Sequence, residues 1–360
     1  MSRFRVDLRS DTVTTPTPEM RAAMAEAEVG DAWYGDDPTV NRLQELAADR
    51  LGMPAALYAP TGTMANQIGL ALHARTNGHL VACSSAAHIA TTEVMTSAAL
   101  SGLAFRTLDP GPRGWIDADQ ARTLLEPDSY YDVEVVDLLG IENTAGGGGG
   151  RVMPIGEMRA VRAVADDAGV PVHLDGARLF NAAAAEGVDV AELAGTADTV
   201  MFCVSKGLGA PIGSLLCGPA EMMAEARRLW ILFGGAWRQA GIMAAAGIVA
   251  LERGPGRVHE DHERARRLAE GVHERLPGSI DLEQVATNMV LVDTEAVGLG
   301  VLETIERLEV LGVGVTHTGA HVRMVTHADV DDEAVATALD AWTALARDQA
   351  SARRATSEED

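Results

Sequence analysis

The chain has 360 residues, 47% of them hydrophobic and 22% charged, which is enough to bury a large core and to build more than one domain. A net charge of −23 argues against nucleic acid or an anionic membrane as a partner, and no apolar run is long enough to span a bilayer. The start, Met1-Ser-Arg-Phe-Arg-Val-Asp7, lacks the apolar core of a signal peptide, and three cysteines (Cys83, Cys203, Cys217) read as small core residues of a cytoplasmic protein.

Residues 1–38 read as an N-terminal arm. Arg9-Ser10-Asp11-Thr12 and the following prolines are extended, a short helix covers 19–28, and 30–37 is a loop carrying Trp33 and Tyr34. A large α/β domain is expected over 39–254. It opens with a helix at 39–50, whose leucines at 43 and 46 share a face, then a strand at 55–59 and a helix at 64–75. The junction between them, Thr61-Gly62-Thr63, has two readings. Glycine there can admit an anion to the unpaired amides of the helix start, or a threonine hydroxyl can simply cap the helix. A strand at 80–83 leads through a loop with His88 to a helix containing Glu93.

Strand and helix then alternate to about residue 217, as in a doubly wound sheet. Strands are expected at 135–141, at 170–174 and from 199, helices at 155–168 and 188–194, and a returning strand at 214–217. Gly146 to Gly150 is five consecutive glycines, readable as a mobile lid or as a solvent-exposed connection. After Pro219 comes a helix to about 230, and Arg238 stands at the start of an alanine-rich helix ending near 252. Gly254-Pro255-Gly256 breaks the chain. Residues 255–346 read as a smaller C-terminal α+β domain and 347–360 as a frayed polar tail.

One stretch organises the rest. Thr199-Val-Met-Phe-Cys203 is an apolar, β-rich run that breaks into glycines at 207, 209 and 213, with Lys206 at the break. Lys206 is the one lysine among 29 Lys+Arg positions. Arginine serves solubility, ion pairing and phosphate binding, but it stays protonated and forms no Schiff base. A lone amine after a buried strand therefore points to a Schiff-base lysine, for a carbonyl substrate or for pyridoxal phosphate. The second case also needs an acid for the pyridine nitrogen. Asp175-Gly-Ala-Arg178 follows the strand at 170–174, and Glu142-Asn143-Thr144 follows the strand at 135–141. Ligands of open α/β sheets bind beyond the carboxyl ends of strands, so these ends can converge on one pocket.

The motifs Arg9-Ser-Asp-Thr12, Tyr34-Gly-Asp-Asp-Pro-Thr-Val-Asn41, Thr61-Gly-Thr-Met-Ala-Asn66, His88-Ile89 with Glu93, Asp175-Gly-Ala-Arg178, Ser205-Lys-Gly-Leu-Gly209, Arg238-Gln239 and Arg323-Met-Val-Thr-His327 together resemble the L-threonine aldolases, in order and at fitting spacing from about residue 5 to 345. These belong to the aromatic-amino-acid β-eliminating lyase group of the aspartate-aminotransferase fold. The resemblance implies pyridoxal-phosphate fold type I, with a mostly parallel seven-stranded sheet between helices, and retro-aldol cleavage of a β-hydroxy-α-amino acid to glycine and an aldehyde. It implies catalytic roles for Lys206, His88 and Asp175. On that resemblance Lys206 would carry pyridoxal 5'-phosphate, Asp175 would pair with its ring nitrogen and His88 would stack on the ring. Thr61, Gly62, Thr63 and Arg238 hold the phosphate, Arg238 from a neighbouring subunit of a dimer or tetramer, and Arg178 lines the cofactor site. Ser10, Tyr34, Arg178 and Arg323 meet the substrate. No metal is implied. Alternatives on the same scaffold are β-elimination, racemisation or transfer to another aldehyde, and a non-catalytic ligand-binding protein is the alternative of another class.

Two departures stand out. The family reads Glu-Asn-Thr-His where this chain has Glu142-Asn-Thr-Ala145, and Glu93 leads into Val94-Met-Thr-Ser97 where glycines are usual. Loss of the imidazole at 145 is expected to leave space for a larger β-substituent.

Overall fold

A computed structural model describes residues 3–73, 79–126 and 135–357. The chain divides into two compact units, Thr15–Gly256 and a second made of Met1–Thr14 with Arg257–Asp360. The first fourteen residues join the second unit because strand β1 (Val6–Asp7) pairs in parallel with β10 (Val313–Gly314).

The large unit begins with helices α1 (Pro18–Glu26) and α2 (Pro38–Leu51). Helix α2 illustrates how sequence sets element ends. Asp37 accepts from the amides of Thr39 and Val40, proline occupies the first turn, and Gly52 closes the helix at φ 63°. Strand β2 (Ala55–Ala59) and helix α3 (Gly62–His73) follow, then β3 (Leu80–Ser84), the single turn α4 (His88–Thr91) and α5 (Val94–Ser101). The next elements are β4 (Ala104–Leu108), α6 (Ala118–Leu125), β5 (Val136–Glu142), α7 (Ile155–Ala168) and β6 (Val172–Asp175). Helices α8 (Leu179–Glu186) and α9 (Val190–Ala194) precede β7 (Thr199–Cys203) and β8 (Ser214–Gly218), and α10 (Ala220–Leu232) and α11 (Gly241–Arg253) complete the unit.

The seven strands form one sheet in the order β2-β8-β7-β6-β5-β3-β4. Only β8 runs against its neighbours; the β3–β4, β3–β5, β5–β6 and β6–β7 pairs are parallel. Every residue of β7 and β8 is buried, as expected for apolar runs covered on both faces. Because β8 reverses direction, Ser214 registers with both Cys203 and Ala59. The carboxyl ends of β2, β5, β6 and β7 therefore share one edge of the sheet. His88 lies on a short helix rather than in the expected loop, since the Ala90 and Thr91 amides close onto the carbonyl of Ala87. Elements β4, α6 and α8 had no separate expectation.

The small unit holds α12 (Val258–Arg275), β9 (Met289–Val292), α13 (Val301–Val310), β10, β11 (Thr316–Thr318), β12 (His321–Val325) and α14 (Asp332–Ser357). An antiparallel sheet, β11-β12-β9, packs its apolar face against helices, with Trp342, Met324, Val322 and Leu268 fully buried. Helix α14 runs to Ser357, into the segment expected to fray, where alanine recurs at 350, 352 and 355 and favours helix; residues 358–360 of that segment lie outside the described residues.

Candidate active site

Lys206 follows β7 in a loop that is buried on both sides of it, from Cys203 to Val204 and from Gly207 to Ala210. The glycines there answer to contacts. A Cβ at Gly207 would lie 2.5 Å from Asn181 Oδ1, and Gly213 has φ +112° with the Tyr58 ring 2.4 Å from where its Cβ would stand. Strand β8 leaves this loop antiparallel to β7, so both ends are anchored in the sheet. Among the described residues, Lys206 has no hydrogen bond or ion pair through its ammonium group.

One strand along, Asp175 ends β6 and is buried. Its Oδ2 accepts from Asn66 Nδ2 at 2.8 Å and its Oδ1 from the Ala177 amide at 3.1 Å. Asn66 and Gln67 are fully buried polar residues on α3, and both donate to Glu93, at 3.3 and 2.9 Å. Glu93 in turn accepts from His88 Nδ1 at 2.8 Å. Burial alone raises the Glu93 carboxyl, but the bonds from His88, Gln67 and Asn66 outweigh it and the net shift is downward. The same hydrogen bond to Glu93 raises the His88 imidazole against the opposing effect of burial. Asp175 reinforces the rise and Lys206 opposes it, so both charges act on His88.

Glu142 ends β5 in register with Asp175. Its two oxygens accept from the amides of His88 and Gly146, each at 2.6 Å. Burial, and then the neighbouring Asp175 charge, push its carboxyl up to about 7. It fastens the His88 turn to the glycine run, which is also tied back onto Ala145. Gly150 and Gly148 donate to the Ala145 carbonyl at 2.9 and 3.1 Å, and Ala145 bridges to Arg151. A Cβ at Gly147 would stand 2.7 Å from the Ala86 carbonyl oxygen. Ala145, where larger β-substituents were expected to find space, is itself buried. Its methyl is 1% exposed and lies 3.3 and 3.4 Å from where a Cβ would project from Gly114 and Gly148.

At the same sheet edge, Thr61 Oγ1 accepts from the Met64 amide at 3.1 Å, so Thr61 is the cap of α3. That leaves the amides of Gly62 and Thr63, which have no partner inside the helix, at its positive end. A Cβ on Gly62 would stand 3.0 Å from Cys203 Sγ, which holds this turn close against β7. A lone amine, a buried carboxylate on the next strand and a half-buried helix start form a donor set that suits pyridoxal phosphate.

The other expected residues lie as follows. Arg178 precedes α8, three residues beyond Asp175, and its charge acts on Cys203. Arg238 lies in the loop before α11 and not at its start. It is exposed, meets Asp31 Oδ2 at 3.4 Å, and has its guanidinium 5.1 Å from the centre of the Trp33 ring. Tyr34 is 72% exposed in the neighbouring turn. Trp230 is buried and Trp237 stacks on Tyr58 at 5.3 Å. In the small unit, Ser10 Oγ accepts from the Thr12 amide at 3.2 Å, and Arg323 on β12 donates to the Arg9 carbonyl at 3.1 Å. Gln67 and His173 were missed as partners. The available signal was a polar residue inside an apolar run, at Met64-Ala-Asn-Gln-Ile68 and at Val172-His-Leu174.

The fold matches a threonine aldolase of Leishmania major (TM-score 0.76, 18% identity, 95% of this chain and 99% of that one). It also matches a serine palmitoyltransferase of Sphingomonas wittichii (TM-score 0.75, 15% identity, 96% and 88%). Sheet and site together define a pyridoxal-phosphate enzyme of fold type I, of the lyase class. The β-eliminating lyase family profile matches residues 7–296, and the chain belongs to that family. It is 38% identical over 343 residues to the low specificity L-threonine aldolase of Escherichia coli K12, covering 94% of this chain and 99% of that one. To the low specificity L-threonine aldolase of Saccharomyces cerevisiae it is 34% identical over 294 residues, covering 81% and 74%.

Proposed function

We propose that this chain cleaves L-threonine, L-allo-threonine or a related L-β-hydroxy-α-amino acid to glycine and an aldehyde. The observation that carries the reading is the sheet edge where the chain's single lysine, Asp175 and the start of α3 meet, in a chain so similar to named threonine aldolases. Pyridoxal phosphate, when bound, supplies the electron sink for the pair released as the Cα–Cβ bond breaks.

The residues divide the remaining work. Lys206 would anchor the cofactor covalently, and the Asp175 carboxylate would accept a hydrogen bond from the ring N–H and so keep that nitrogen protonated. Gly62 and Thr63 give amides to the phosphate while Thr61 holds the helix start in shape. His88 would lie against the ring; with Nδ1 tied to Glu93, either its Nε2 or a bound water would take the β-hydroxyl proton. The hydrogen bond to Glu93 raises the affinity of the His88 imidazole for a proton, which makes the neutral ring a stronger base. Arg178 and Arg323 are the carboxylate partners, a bidentate grip that fixes the amino acid's orientation, with Ser10 and Tyr34 as further substrate contacts. Arg238 serves the phosphate of a neighbouring subunit in a dimer or tetramer. Its exposure, beside exposed Trp33 and Tyr34, supports that assignment. Among the described residues no helix is long and apolar enough to cross a membrane, and we place the enzyme in the cytoplasm.

The test is to feed L-threonine, L-allo-threonine, β-phenylserine and L-serine separately and identify the products. Glycine with the matching aldehyde is expected from the first three. Ammonia and a keto acid without glycine would replace this reading with β-elimination. Borohydride should fix the cofactor to a peptide containing Lys206, and a label elsewhere overturns the anchor.

A further inference from the structure

Behind Asp175 a line of hydrogen bonds runs away from the site through the large unit. Asn66 Nδ2 donates to Asp175 at 2.8 Å, and Asn66 Oδ1 faces His173 Nε2 at 3.1 Å. His173 Nδ1 lies 2.8 Å from Thr199 Oγ1, which lies 2.9 Å from His73 Nε2. Asn66, His173 and Thr199 are each fully buried.

The chemistry of each link sets its direction. The Asn66 nitrogen faces two carboxylates, Asp175 and Glu93, so its oxygen must face His173. His173 Nε2 therefore carries the proton. Burial, and then His73, lower the His173 imidazole to about 3, so the ring is neutral and Nδ1 is an acceptor. The single Thr199 hydroxyl proton goes to Nδ1, and Thr199 accepts from His73 Nε2–H. All four bonds donate toward Asp175. An independent observation shows that the ring's seat is built. Gly69 lies inside α3, where glycine costs about 1 kcal/mol relative to alanine, and a Cβ there would stand 2.4 Å from His173 Cε1.

We propose that His73, Thr199 and His173 form a positioning relay that locks the Asn66 amide with its NH2 toward Asp175, keeping that carboxylate an acceptor for the cofactor's ring nitrogen. The proposal rests on the cofactor assignment above. Were Asn66 to turn over, its oxygen would oppose the carboxylate, and the proton on His173 Nε2 would have no acceptor.

Thr199→Val keeps the volume and deletes the hydroxyl. In protein labelled with [15N]histidine, the parent should show His173 as the neutral Nε2–H form, and Thr199→Val should move its Nδ1 resonance and admit the other tautomer. In holoenzyme carrying [15N]pyridoxal phosphate, the ring-nitrogen resonance should shift toward the unprotonated form. A fall in kcat of roughly 3- to 10-fold with KM unchanged is expected, and Thr199→Ser should restore all three readouts. Gly69→Ala, which pushes on the His173 ring, should shift the same histidine and cofactor resonances, and it serves if Thr199→Val does not fold. Unchanged His173 and cofactor resonances in the folded variants overturn the relay, as does a serine variant that stays as impaired as valine. A parent that binds no cofactor would defeat the assignment of the site instead, while the histidine spectra still decide the direction of the line.

Discussion

Strands β5 and β6 end side by side, Glu142 in register with Asp175, and the two ends are held in different ways. Beyond β6, buried side chains surround one carboxylate and each is matched to its chemistry. Beyond β5, the backbone is the material. Glu142 takes two amides, five glycines fold back on Ala145, and small residues let the chain press against the segments at 86 and 114. An end built from side chains fails when a functional group is removed, whereas one built from backbone contacts fails when an atom is added.

That difference orders the experiments. Lys206→Ala should lower turnover by more than about 10³-fold and abolish borohydride trapping, with the fold intact by circular dichroism. Asp175→Asn keeps the shape and removes the charge. A loss of about 10²–10⁴-fold in kcat is expected, read together with the protonation of the cofactor ring. On the other side of the comparison, Ala145→His adds atoms where the methyl is already enclosed, so it should destabilise by about 1–3 kcal/mol in urea unfolding. A stable Ala145→His protein with greater activity on threonine would show that the turn yields and that the missing imidazole matters.

Gly147→Ala tests the same turn by sign. In a loose lid, alanine would stabilise by about 0.4–1 kcal/mol through the unfolded chain. Against the Ala86 carbonyl it should instead destabilise, by about 1–3 kcal/mol. The smallest effect concerns pH. The Glu142 carboxyl is raised from the ordinary carboxylate range to about 7 in the folded protein, so the folded state holds its proton more tightly than the unfolded chain. Its contribution to apoprotein stability is fully present below about pH 4.5 and is lost as pH rises toward 7. Glu142→Gln should therefore flatten the fall in melting temperature across that window. An unchanged slope would mean that the carboxylate already titrates normally.

The same contrast explains what was legible in the sequence. Lys206, Asp175 and the turn at 61–63 announce themselves because their residue types are uncommon in their settings, and strands such as β2 and β7 are continuous apolar runs between turn signals. His88 reads as a loop residue because one helical turn is too short for any periodicity. The glycine run reads equally as a lid or as an exposed connection because its partners, Ala86, Gly114 and Glu142, are remote in sequence or come from another element. Asp37 shows the same limit. Within a motif associated with the substrate, it caps α2 and also accepts from the Gly241 amide at 2.9 Å, tying α2 to the start of α11.

The single lysine has a practical corollary for handling the protein. Reagents that acylate or reductively alkylate amines find one side chain in the whole molecule, and it sits half-buried in the loop after β7. Attaching a dye, a crosslinker or a solid support through lysine therefore means competing with the bound cofactor for the same nitrogen. Apart from the α-amine of the first residue, the arginine side chains offer nothing for these reagents to consume, so side-chain labelling should report occupancy of the centre.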